Sequence, residues 1–119
     1  MSQRTERVGD QLRRELSVLI QREMRDPRVA LVTVTRVEVS SDFSHASVHV
    51  SALGSEDARA LALEGLESAR GFLRRELASR LSLRVTPELR FSLDRGAEHS
   101  QNIAALLDRL HDEGGSHDS

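Results

Sequence analysis

The chain has 119 residues and a formal charge of −2; its 17 basic residues are all arginine, its three aromatic residues are all phenylalanine, and it has no cysteine. That length buries about two-thirds of the unfolded surface, enough for one two-layer core. Disulfides, thiol catalysis and thiolate metal sites are excluded, no apolar run can span a bilayer, and Met1-Ser2-Gln3-Arg4-Thr5-Glu6 holds no secretory core, so a cytoplasmic chain without a membrane partner is expected.

The first predicted element is a helix from about Arg4 to Arg25, stopped by Pro27, which disfavours helical geometry at Asp26. Val8, Leu12, Leu16, Leu19 and Ile20 share one side at about 100° per residue. The same spacing sets Arg4, Arg7, Arg14, Arg22 and Arg25 within an arc of about 80° on another side, flanked by Asp10 and Glu15. Such a row serves either as a solvated face with local ion pairs or as a cationic contact.

Leu31 to Ser40 is rich in valine and threonine, as strands are, but its alternation changes phase. Val32 and Val34 hold one register, Val37 and Val39 the other, so a β-bulge is predicted near Thr35-Arg36 to aim both pairs at the same core. Ser40-Ser41-Asp42 supplies turn chemistry, and Ala46, Val48, Val50 and Ala52 alternate as the second strand of an antiparallel hairpin.

Leu53-Gly54-Ser55 leaves the hairpin, with Ser55 as N-cap of a helix whose face is Ala58, Leu61, Ala62, Leu66 and Ala69. A second face, Leu73, Leu77 and Leu81, follows the interruption Ser68-Ala69-Arg70-Gly71. Glycine costs about 1 kcal/mol relative to alanine inside a helix, so a kink is predicted there. Pro87 opens the last strand, with Leu89, Phe91 and Leu93 pointing inward. The sum is an α+β domain, helices packed on one face of a three-stranded sheet.

Beyond Asp94, Gly96 breaks the chain, and Ile103, Leu106, Leu107 and Leu110 predict a short extra C-terminal helix. Residues 1–110 therefore form a single domain, and 111–119, with Gly114-Gly115, a disordered polar tail. Both helical faces and the sheet use up the apolar stripes, so a monomer is expected.

Charge is segregated along the chain. Ser68 to Arg90 holds six arginines against Glu76 and Glu88, whereas Phe91 to Ser119 holds six carboxylates against Arg95 and Arg109. Catalytic patterns are missing. His45 and His49 lie in a hairpin where their side chains need not converge, and His99, His111 and His117 have no ligand spacing around them. With no lysine there is no phosphate-binding glycine-rich loop that uses one, and no nucleophile elbow surrounds any serine. No enzyme, cofactor, metal or small-molecule substrate is expected. With Phe43, Phe72 and Phe91 as the only rings, base reading by stacking is disfavoured, so any nucleic-acid contact would rest on arginine and phosphate.

The order helix, strand, strand, helix, helix, strand places Ser68-Ala69-Arg70-Gly71 where a type II KH module carries its Gly-x-x-Gly nucleic-acid loop. With Ala69 and Gly71 in place of that loop, the chain resembles the ribosome-binding factor A family. The resemblance runs from about Arg4 to Leu110. It includes Asp26-Pro27-Arg28, Val32-Thr33-Val34-Thr35, Val37, Val39, Ser40 and Asp42, then Ala46, Val48, Val50 and Ser51. It continues through Ala69, Gly71, Phe72, Leu73 and Arg74 to Arg80, Leu81, Leu83, Arg84, Pro87, Leu89, Phe91 and Asp94, and ends at Ile103, Leu106 and Leu107.

The resemblance implies a KH-like RNA-binding domain. It further implies a non-enzymatic assembly factor that binds the free small (30S) ribosomal subunit, contacts 16S ribosomal RNA and assists its late maturation. Charge clustering and the surface this family uses together assign RNA contact to Arg4, Arg7 and Arg14 and to Ala69, Arg70, Gly71, Arg74, Arg75, Arg80 and Arg84. The alternatives are a general KH-like regulator that binds single-stranded RNA and a protein-interaction module whose arginines meet an acidic partner.

Overall fold

The structure, a computed structural model, describes residues 3–94 and Gly96. Its elements are α1 (Gln3–Val18), a π-helical turn (Leu19–Glu23), a 3-10 turn (Pro27–Val29), β1 (Val32–Val39), β2 (His45–Ala52), α2 (Glu56–Ser68), α3 (Arg70–Arg80) and β3 (Glu88–Leu93). The predicted terminal helix over 103–110 and the tail 111–119 lie outside the described residues.

The sheet order is β1-β2-β3, with β1 antiparallel and β3 parallel to the central strand. The predicted bulge is present. Val34 pairs with Val50 and Arg36 with His49, leaving Thr35 without a partner residue on β2. The extra residue resets the alternation, so Val32, Val34 and Val39 are all buried and Val37 is half-buried on the same face. The Thr35 hydroxyl lies 3.0 Å from the His49 carbonyl oxygen and 2.7 Å from Asp94 Oδ2, linking β1 across β2 to the end of β3.

Helices cover one face of the sheet. Leu12, Leu16 and Leu19 from the first helical segment meet Leu66, Leu73 and Leu77 above Val48, Val50 and Leu89, all fully buried. Each contributes roughly 1.5–3 kcal/mol through burial. α1 lies directly on β1, where a Cβ at Gly9 would approach the Val37 carbonyl oxygen to 2.5 Å.

Local chemistry sets the boundaries. Ser55 Oγ accepts from Ala58 N at 3.1 Å, capping α2 as predicted, and Gly54 at φ +116° takes the left-handed turn before it. Asp42 closes the β1–β2 loop, accepting from Ser40 Oγ at 2.8 Å, Ser44 N at 3.1 Å and Ser44 Oγ at 2.7 Å. These bonds, the Ser44 hydroxyl's first, hold its carboxyl at about 2.

Three expectations are corrected. The regular first helix does not reach Arg25; it ends at Val18 and widens into a π turn, closed by Met24 N donating to Leu19 O at 3.1 Å. A π turn holds more residues than an α turn and the chain turns extended at Met24, so the 100° spacing does not reach Arg25, which leaves the arginine row. The helix break falls inside the predicted interruption, at Ala69, with φ −94° and ψ 3°, and the glycine named as its cause, Gly71, is already the second residue of α3. Finally, apolar surface does remain: Leu31, Leu53 and Leu61 are 60%, 58% and 47% exposed around an apolar cavity of about 320 Å³.

Candidate nucleic-acid interface

The arginines fall into three environments. On α1, Arg7 and Arg14 are exposed and have no ion-pair partner among the described residues. Arg4 is exposed at the start of α1, its guanidinium carbon 5.1 Å from the centre of the Phe43 ring. That contact links α1 to the β1–β2 loop, where Phe43 itself sits at φ 61°.

Around the break the arginines diverge. Arg70, first residue of α3, pairs with Glu67 and lies 3.9 Å from Glu88, and its buried Nε has no partner. Arg74 donates from Nη2 to Thr86 O at 2.9 Å, pinning the segment before β3. With exposed Arg75, Gly71, Ala78 and Thr86 it lines an open cleft of about 300 Å³. Arg84 is exposed on the 81–87 segment.

Arg80 turns the other way. It meets Glu15 at 3.9 Å, Glu23 at 3.6 Å and Glu76 at 3.6 Å, a tie between α3, α1 and the π turn. At 100° per residue Arg74 and Arg80 are separated by about 120° around α3. Gly71, Arg74 and Arg75 therefore share a cleft, while Arg70 and Arg80 hold internal ion pairs. The arginines clustered between Ser68 and Arg90 in the sequence are therefore divided.

A second cleft, of about 280 Å³, lies at the break itself, lined by Glu23, Met24, Arg25, Asp26, Gly65, Ser68, Ala69 and Phe72. Sequence reasoning placed Arg25 on the α1 stripe; the π turn delivers it here, a signal that periodicity does not carry. Asp26 in this cleft is held by Arg28 through Nε and Nη2, the latter at 2.7 Å. The Arg28 side chain keeps the Asp26 carboxyl below its usual value and is itself raised by it.

The far face of the sheet is polar. His49 lies 3.4 Å from Glu38 and 3.4 Å from Ser92 Oγ, and Glu38 also pairs with Arg36 at 3.1 Å. His45, four residues away along β2, is roughly 13 Å distant, so the two imidazoles cannot share a ligand. Among the described residues no group of three His, Cys, Asp or Glu side chains converges as a metal site. Among the same residues no helix is long and apolar enough to cross a membrane.

An α-β-β-α-α-β order, a mixed three-stranded sheet and a one-residue helix break in the place of the nucleic-acid loop define a KH-like α+β domain. The profile of ribosome-binding factor A matches residues 4–107. The ribosome-binding factor A of Thioalkalivibrio sulfidiphilus is 52% identical over 106 residues, covering 89% of this chain and 82% of the relative. The crystal structure of ribosome-binding factor A from Thermus thermophilus superposes with a TM-score of 0.69 at 37% identity, over 76% of this chain and 96% of that one. Coordinates of the Thermus thermophilus factor fitted into a cryo-EM map of its complex with the 30S subunit superpose with a TM-score of 0.64, at 37% identity and the same coverage. The chain belongs to the ribosome-binding factor A family.

Proposed function

We propose that this protein binds the free small ribosomal subunit, contacts its 16S ribosomal RNA and assists late maturation of that RNA. It acts without catalysing a reaction, through binding that favours one RNA conformation over others. The observation that carries this reading is the similarity, in fold and at 37% identity, to a Thermus thermophilus factor fitted into a 30S complex. Exposed arginines without internal partners, Arg7 and Arg14 on α1 and Arg75 and Arg84 around α3, support it, because guanidinium groups suit phosphate contact.

The contact set proposed is Arg4, Arg7, Arg14, Ala69, Gly71, Arg74, Arg75 and Arg84, with Arg70 and Arg80 shaping the surface through their carboxylate pairs. A general single-strand regulator is less well supported. Phe43, Phe72 and Phe91 are all half-buried, so no row of open rings offers a stacking platform.

Cosedimentation with separated small subunits, large subunits and intact ribosomes across a salt series tests the proposal. Association with small subunits alone, weakening as salt rises, is expected. Equal affinity for short RNA oligonucleotides would favour the regulator, and the absence of any salt-dependent association with ribosomal RNA would favour a protein partner.

A further inference from the structure

Apolar surface stays open at one end of the sheet. Leu31 just before β1, Leu53 just after β2 and Leu61 on α2 are all exposed around a recess that Ala58 and Ala62 also line. Large apolar side chains grouped at one recess mark a surface that something covers. Among the described residues lining it the one charged side chain is Arg28, which Asp26 already engages at 2.7 Å, so an anionic ligand finds little here.

The chain leaves β3 at this same end of the sheet. Ala52, which lines the recess, pairs with Val32; two residues back along β2, Val50 pairs with Leu93 and accepts from Asp94 N at 2.7 Å. The segment after Asp94 therefore starts beside the strand whose last residues form the recess wall. Neighbouring strands lie about 4.8 Å apart and residues 95–102 reach up to roughly 26 Å when extended, so Ile103 comes within range of Leu53 and Leu31. In the sequence Ile103, Leu106, Leu107 and Leu110 fall within an arc of about 100° on a helix, with Ala105 and Asp108 opposite.

We propose that residues 103–110 of this same chain, which lie outside the described residues, dock in the recess as a helix, setting Ile103, Leu106, Leu107 and Leu110 against Leu31, Leu53 and Leu61. An apolar stripe at this spacing laid into an apolar groove is an established recognition mode. The tether gives the segment an effective concentration on the order of millimolar, which favours it over a second copy of the chain. The inference does not depend on the subunit-binding reading.

The test uses the full chain, whose lack of cysteine makes disulfide capture specific. Under mild oxidation of dilute protein, Leu61→Cys combined with Leu106→Cys or Leu107→Cys should close an intramolecular disulfide. Closure should be at least about tenfold faster than for Leu61→Cys with Ala105→Cys, on the opposite side of the helix, or for Leu107→Cys with Arg36→Cys, on the far face of the sheet. Equal rates for all pairs would overturn the proposal, and disulfide-linked dimers in place of the intramolecular product would give the recess to a second copy. Independently, Leu61→Ser and Leu107→Ser should each lower Tm by roughly 5 °C, and the double variant should lose little more than either alone. An unchanged Tm for Leu107→Ser, or losses that add in full, would show that the two leucines do not meet and that another molecule covers the recess.

Discussion

Gly9 and Gly71 show how differently two helical glycines can act. At Gly9 a Cβ would meet backbone, the Val37 carbonyl oxygen at 2.5 Å, and neither α1 nor β1 can yield without disturbing the core between them. Gly9→Ala is expected to cost roughly 1–3 kcal/mol, read as a lower urea midpoint. At Gly71 a Cβ would meet only the far end of the Arg75 side chain, 3.2 Å away. Gly71→Ala should therefore stabilise by up to about 1 kcal/mol, read as a higher Tm; a lower Tm would show that the break needs the glycine after all. Asp42 makes a pH prediction. Its carboxyl titrates at about 2 in the folded loop, below its unfolded value near 4. The stabilisation is present above about 4 and is lost as pH falls towards about 2, because protonation removes the acceptor that the unfolded chain does not need. Carbon-13 NMR of the carboxyl should show the low midpoint, and Asp42→Asn should flatten that part of the stability profile.

Among the elements, β1 depends on an irregularity. Thr35 is the residue that lets two valine pairs of opposite phase face one core, and its hydroxyl contacts Asp94 across the sheet. Thr35→Val keeps the shape and β-propensity but strips a half-buried carboxylate of a hydrogen bond, so a loss of about 1–3 kcal/mol is expected in urea unfolding. An unchanged midpoint would mean that the bulge, not the hydroxyl, joins the strands. The π turn after α1 acts similarly at longer range. By widening one turn it takes Arg25 off the helix row and sets it beside the break between α2 and α3, so one local irregularity answers another.

For the molecule as a whole, the distribution of arginine partners separates cations held within the fold from those open at the surface. The carboxylates of Glu15, Glu23, Glu67, Glu76 and Glu88 surround Arg70 and Arg80, which therefore contribute to holding the helices and β3 together. About a third exposed, the Arg80 pairs are worth about 1 kcal/mol or less after solvent screening. Arg80→Ala should lower stability slightly and leave the salt slope of subunit binding unchanged. Arg75→Ala and Arg84→Ala should each reduce that slope by about one unit with little change in Tm. The opposite pattern would mean that the internal ion pairs open on the subunit.

Periodicity and turn chemistry were enough to find three described helical segments, the hairpin with its bulge, the Ser55 cap and the last strand. Each depends on residues close in sequence, and a phase change such as Val34 to Val37 has few physical solutions. They also placed Arg75 and Arg84 among the candidate cations. The tertiary structure alone decided the π turn, the residue within Ser68-Ala69-Arg70-Gly71 at which the helix breaks and the division of the arginines into free and paired. Those depend on what lies opposite: Glu15 and Glu23 reach Arg80, and Glu88 reaches Arg70, only after α1, α3 and β3 have packed. Ion pairs between elements distant along the chain leave no trace in spacing, so a charge count along the sequence cannot separate a cation that grips the fold from one that faces a partner.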